Sequence, residues 1–104
     1  MIPMVVGVLK IVFHIPHART LKEKRRVIQR FRDRTLNQFD VSIAEVDKQD
    51  HIQCAVFGIC VVSSVASVCD SILEQVTTAA TLQEEAILIE RKTERLFFGG
   101  DFFE

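Results

Sequence analysis

Tryptophan and tyrosine are missing from this 104-residue chain, and its eight aromatic residues are all phenylalanine. Glycine is scarce, at four residues, and none sits in a Gly-rich phosphate loop. Cysteine is limited to Cys54, Cys60 and Cys69, an odd number without Cys-x-x-Cys spacing. The simplest reading is a reduced, cytoplasmic protein with small buried thiols. Long apolar runs are also missing at the start of the chain. The run that opens at Met4 is broken by Lys10 and His14, which excludes a transmembrane span there. With no basic region ahead of it, a signal peptide is not expected.

Recognisable catalytic patterns are missing too. No Ser-His-Asp or Cys-His arrangement is signalled, so no catalytic residue and no cofactor is assigned. His14 and His17, with Asp47 and Asp50 elsewhere, invite comparison with a metal site. His14-Ile15-Pro16-His17 spans a strand end and a loop, however, so no ligand geometry is encoded locally and no metal is assigned. An enzyme acting on a small anionic substrate ranks below a binding role.

What is present suits one domain. Apolar residues make up 48% and charged residues 26% of the chain, ordinary values for a globular protein. A chain of this length buries roughly two-thirds of its unfolded surface, enough for one core. No repeat, linker or low-complexity segment divides it. Net charge is −1, but its distribution is uneven. The segment "RTLKEKRRVIQRFRDR", residues 19–34, carries eight cations against two anions. The rest of the chain holds five cations and twelve anions, so the molecule is dipolar.

Hydrophobic periodicity then gives the elements. "MVVGVLKIVFHIP", residues 4–16, alternates with one fully apolar face and predicts a strand, ended by Pro16. Thr20-Leu21-Lys22-Glu23 fits a capping box and predicts a helix to about Asn37, with Leu21, Val27, Ile28 and Phe31 as its apolar side. "FDVSIAEV" restarts the two-residue period, with Val41 and Ile43 on one face. "DKQD", residues 47–50, is a turn without glycine and predicts a loose hairpin. "HIQCAVFGICVVS" reads as a central strand, apolar on both faces. Ser63 or Ser64 can cap a second helix over about Val65 to Ala80. "EEAILIERK" predicts a short last strand. The order β-α-β-β-α-β favours an α+β ferredoxin-like sandwich, two helices on one face of a four-stranded antiparallel sheet. The domain is expected over residues 1–96, with a Phe-rich tail over 97–104.

"LKEKRRVI" after a first strand, then "VSIAEVDKQD" and "AVFGICVVS", resembles the YlxP-like family of small bacterial proteins, classed as a domain of unknown function. The resemblance runs from about Val6 to Val76 and implies the same fold in a bacterial, cytoplasmic protein. Genes of that family often lie among those for transcription and translation factors, which implies a task near RNA. It brings no established activity and no catalytic residues. Two departures stand out: Cys54 where the family usually has Arg, and Ser64-Val65 near its usual Asn-Asp pair, which weakens the cap of the second helix.

Three surfaces follow. On the first helix, Lys22, Arg26, Arg30 and Arg34 are four apart and are expected to stack opposite the core, with Arg19, Lys24, Arg25 and Arg32 adding to the field. Each like-charge pair at that spacing costs an isolated helix roughly 0.2–0.5 kcal/mol. An external polyanion would offset this, and arginine suits phosphate. The expected partner is therefore RNA or a ribonucleoprotein; the alternatives are an acidic protein surface, or neutralisation by the chain's own Asp40, Glu45, Asp47 and Asp50. The second surface is the sheet face away from the helices, where Val6, Val8, Val12, Ile52, Cys54, Val56, Gly58, Cys60 and Val62 would gather. No aromatic falls there to stack on bases, so a homodimer burying these faces is expected, unless the parity is reversed or the tail covers the patch. The third is the tail itself, with Phe97, Phe98, Phe102 and Phe103, which packs either on its own domain or on a partner.

Overall fold

Residues 4–99 are described by the structure, a computed structural model. Strand β1 (Met4–His14) is followed by helix α1 (Leu21–Gln38), strands β2 (Ser42–Asp47) and β3 (Cys54–Ser63), helix α2 (Ala66–Thr81) and strand β4 (Ile87–Phe98). The sheet order is β2-β3-β1-β4, and every neighbouring pair is antiparallel. Each helix therefore crosses over one strand to reach a parallel one, which is the ferredoxin-like arrangement the alternation of elements requires.

The two-residue period of β1 becomes two distinct faces. Val5, Leu9, Ile11 and Phe13 are buried under the helices. Opposite them in register lie Ile59, Phe57 and Ala55 of β3. Phe31 of α1 closes over this layer, with ring centroids 5.0 Å from Phe13 and 5.4 Å from Phe57. Rings at that spacing and tilt gain edge-to-face attraction beyond their buried area. Gly7 lets α2 approach: a Cβ there would lie 2.9 Å from Leu73 Cδ1 and 3.0 Å from Cys69 Cβ. Cys69, wholly buried, points its thiol at the carbonyls of Val5 and Val61.

Helix α1 begins as its sequence requires. Thr20 Oγ1 accepts from Glu23 N (3.1 Å), and Glu23 Oε2 accepts in return from Arg19 N (2.9 Å), one residue before the cap. Helix α2 departs from expectation. Its N-cap is Val65, which offers no side-chain bond, while Ser63 Oγ is spent on Val65 N (3.1 Å). The β2–β3 connection is loose, as a turn without glycine should be, and Lys48 enters the left-handed region at φ 57°.

Two boundaries move. β3 starts at Cys54, so Ile52 lies in the preceding turn, not in the strand. β4 is a twelve-residue strand and not a short one. Phe97 and Phe98 pair with Val5 and Met4, so they belong to the sheet and not to a tail. Asp101, Phe102 and Phe103 lie outside the described residues.

Candidate functional site

The eight cations of residues 19–34 do not form one surface. Lys24 leaves it altogether: it is 1% exposed, on the stripe of Ile28, Phe31 and Thr35 that faces the sheet. Its Nζ donates to the carbonyl of Lys48 (2.7 Å) and more weakly to that of Gln49 (3.4 Å). It also lies 2.9 Å from Glu45 Oε2. That contact is a close ion pair without hydrogen-bond alignment, so Glu45 Oε2 has no hydrogen bond among the described residues. Lys24 thus ties α1 to the end of β2 and is closed to an external anion. The signal was in the spacing, since 24, 28, 31 and 35 follow the helical stripe.

Six of the remaining seven divide between two flanks. A ridge of residues four apart drifts about 40° around the helix at each step, so Lys22 and Arg34 look in different directions. Arg30 and Arg34 turn toward the α2–β4 connection, where they line a depression with Val27, Glu84 and Glu85. Arg30 Nη1 is 3.6 Å from Glu85 Oε1 there. Lys22, Arg25, Arg26 and Arg32 instead line an open groove of about 630 Å³ between α1 and the edge strand β2. Gln29 lies among them, with Ile28, Ile43 and Ala44 as apolar lining and Glu45 at the strand side. Arg32 approaches Asp33 at 3.9 Å, but Asp33 also accepts from Gln29 Nε2 at 2.9 Å. Arg19 stands apart, by the β2–β3 turn with Asp50 and His51.

Neutralisation from within the chain is incomplete. Among the described residues, Arg19, Lys22, Arg25, Arg26 and Arg34 make no ion pair within 4.0 Å. Of the four carboxylates considered for that task, only Glu45 meets a cation of α1, and it meets the buried one. Asp47 accepts from the backbone N of Lys48 (2.7 Å).

The open sheet face has the expected parity. Val6 pairs with Val62, Val8 with Cys60, Val12 with Val56 and His14 with Cys54. Its character is less uniform than the sequence reading made it. Lys10, opposite Gly58, occupies its middle and reaches Glu90 Oε2 at 3.2 Å. β4 adds Lys92 and Glu94 beside it, 3.6 Å apart. Val56 is already buried within one chain, and Val46 covers Gly58, where a Cβ would meet its Cγ1 at 3.1 Å. Val46 and Ile87 are exposed toward one end, and the larger exposed apolar group lies at the other, around Met4, Val62, Leu96 and Phe98. Cys60 is exposed there, against the expectation of buried thiols; Cys54 is half-buried, and all three cysteines are free.

His14 and His17 are not drawn into a ligand set. His14 Nδ1 lies 3.2 Å from the Gln53 carbonyl, whose side chain in turn donates to the carbonyls of Pro16 and Ala18. Among the described residues no three His, Cys, Asp or Glu side chains converge as metal ligands, and no helix is long and apolar enough to cross a membrane.

The fold and these surfaces define a small α+β domain of ferredoxin-like topology with a basic flank on its first helix. The chain belongs to the family described as "Protein of unknown function (DUF503)", which it matches over residues 6–93. It is 51% identical over 47 residues to the uncharacterized protein YlxP of Bacillus subtilis (strain 168), across 45% of this chain and 51% of that protein. The chain thus spans about half the length of the curated relative it matches. Among solved structures, the de novo designed protein Foldit4 is similar with a TM-score of 0.49 at 12% identity, over 93% of this chain and 98% of that one.

Proposed function

We propose that the protein is a binding module for structured RNA, free or within a ribonucleoprotein, and that it makes contact through the groove between α1 and β2. The observation that carries this reading is the set Lys22, Arg25, Arg26 and Arg32, which line one groove while Glu45, the carboxylate nearest to them on β2, is committed to Lys24. A row of guanidinium groups of this kind suits phosphate oxygens, which accept two parallel N–H bonds from one arginine. The open sheet face carries mostly charges and aliphatic groups, with a single phenylalanine, Phe98, at the end of β4, where a base-stacking platform needs several rings across its central strands. Contact with the sugar-phosphate backbone, and so with RNA shape, is therefore the mode that fits.

The test is a salt titration with a mixed-sequence RNA duplex. Each phosphate contact contributes about 0.7–0.9 to the slope of log K against log salt, so Arg25→Ala, Arg26→Ala and Arg32→Ala together flatten it by about two to three units. Arg30→Ala with Arg34→Ala changes it less, because those side chains face Glu84 and Glu85. Binding that ignores salt, or ignores the three groove arginines, overturns the reading. If proteins retained by the wild-type chain and lost by the triple variant are not displaced by RNA, the partner is an acidic protein surface instead.

A further inference from the structure

β4 is an edge strand, twelve residues long, and every residue in it except Leu88 is exposed. It has no proline, and its bulge lies near its start, opposite Val12 and Phe13. Among the described residues nothing pairs with its outer edge. A long edge with unpaired N–H and C=O groups is a template for another strand. The question is which strand it fits.

We propose that β4 pairs antiparallel with β4 of a second copy, about a two-fold axis through Thr93. A two-fold normal to the sheet keeps both helical layers on one side, and it places residues opposite each other only when they are an even number apart. That leaves few registers. Centring on Lys92 sets Lys92 against itself and Glu90 against Glu94. Centring on Arg91 or Glu94 puts a like charge on the axis. Centring on Thr93 puts a neutral β-branched residue on the axis and sets Lys92 opposite the partner's Glu94, twice over. Lys92 and Glu94 share the open face and already lie 3.6 Å apart within one strand, so the four side chains form a square of alternating charge. Opposite charges facing across strands favour a register, and like charges oppose it.

The flank agrees with this centre as far as the bulge. Ile89 comes opposite Phe97; beyond it Leu88 faces the helices, as its pairing with Phe13 shows, while Phe98 faces the open side with Met4, so those two do not meet. Ile89, Phe97 and Phe98 are each more than half exposed in the single chain. Arg91 and Arg95 come opposite each other on the helix side. Each has its own carboxylate there, Glu74 at 3.5 Å and Asp70 at 3.5 Å, so that side is not left with bare repulsion. The result is a closed two-fold dimer with an eight-stranded sheet. It sets the two α1–β2 grooves on the same side of that sheet at its far edges, roughly 34 Å apart by strand spacing.

The experiment is sedimentation of the full chain across the micromolar range, with charge reversals at the centre. Wild type sediments as a dimer. Lys92→Glu alone and Glu94→Lys alone each create facing like charges and shift the population to monomer. The double swap Lys92→Glu with Glu94→Lys restores the dimer. The residues are exposed, so circular dichroism shows all four proteins folded. A second measurement removes ambiguity: with Cys54 and Cys60 replaced by serine, Thr93→Cys forms a disulfide-linked dimer on oxidation and Val62→Cys does not. A wild type that stays monomeric overturns the proposal. So do single reversals that leave the dimer intact, and so does preferential cross-linking through Val62→Cys, which would place the contact on the open sheet face.

Discussion

Lys24 Nζ lies 2.7 Å from the carbonyl oxygen of Lys48, so one lysine's ammonium group holds the turn that another lysine strains. The bond joins α1 to the far end of β2 across the flank where the basic groove begins. A buried ammonium is tolerated only where acceptors surround it, and here two carbonyls and Glu45 do so.

Removing that ammonium leaves Glu45 without its counter-charge. Lys24→Ala is expected to cost about 3 kcal/mol, the range for breaking one half of a buried pair. Lys24→Met with Glu45→Met should recover most of the loss, because no charge is then stranded. Urea unfolding of both variants measures the difference. Equal destabilisation by the two would show that the lost bonds from the ammonium to the Lys48 and Gln49 carbonyls, and not the stranded charge of Glu45, set the cost.

Lys48 adopts φ 57°, a conformation that costs an L-residue with a Cβ roughly 1–2 kcal/mol. Lys48→Gly is therefore expected to raise the unfolding midpoint, through a stabilisation of about 1 kcal/mol after the added freedom of the unfolded chain is subtracted. The carbonyl that Lys24 uses is retained. A lower midpoint would mean that the lysine side chain has a role of its own in the turn.

Val65 starts α2 with no side-chain cap. Val65→Asp supplies an acceptor for the free amides of the first turn and places a negative charge at the helix N-terminus. A gain of about 1 kcal/mol is expected, read from thermal melts. Val65 is half exposed, so little packing is lost.

Gly7→Ala tests the closest approach of α2 to the sheet. A methyl group there meets Leu73 Cδ1, Cys69 Cβ and Val61 Cγ1 within 3.2 Å, and overpacking of that kind costs about 1–3 kcal/mol. Gly99→Ala, where nothing lies within 4 Å, serves as the silent control in the same urea series.

Much of this architecture is readable from local pattern. The alternation in β1, the Thr20 cap and the apolar stripe of α1 each depend on residues close together in the chain. The features that escape such reading depend on distant partners. Lys24 reads as one more surface cation because what buries it, the Lys48 and Gln49 carbonyls and Glu45, is more than twenty residues away. The middle of β4, "ERKTER", lacks apolar alternation because its helix side meets Asp70 and Glu74 and its open side meets Lys10. The strand runs to Phe98 because β1 offers a partner as far as Met4. The basic ridge is visible in the spacing, but its division between two flanks depends on where β2 and the α2–β4 connection lie.

β2 has six residues and one neighbour, with its ladder interrupted between Glu45 and Asp47. β1, by contrast, is laddered on both sides along most of its length. Amides of β2 should therefore exchange with solvent at a lower opening free energy than those of β1. The wall of the groove therefore breathes before the centre of the sheet does, and a ligand seated there would slow its exchange more than that of β1.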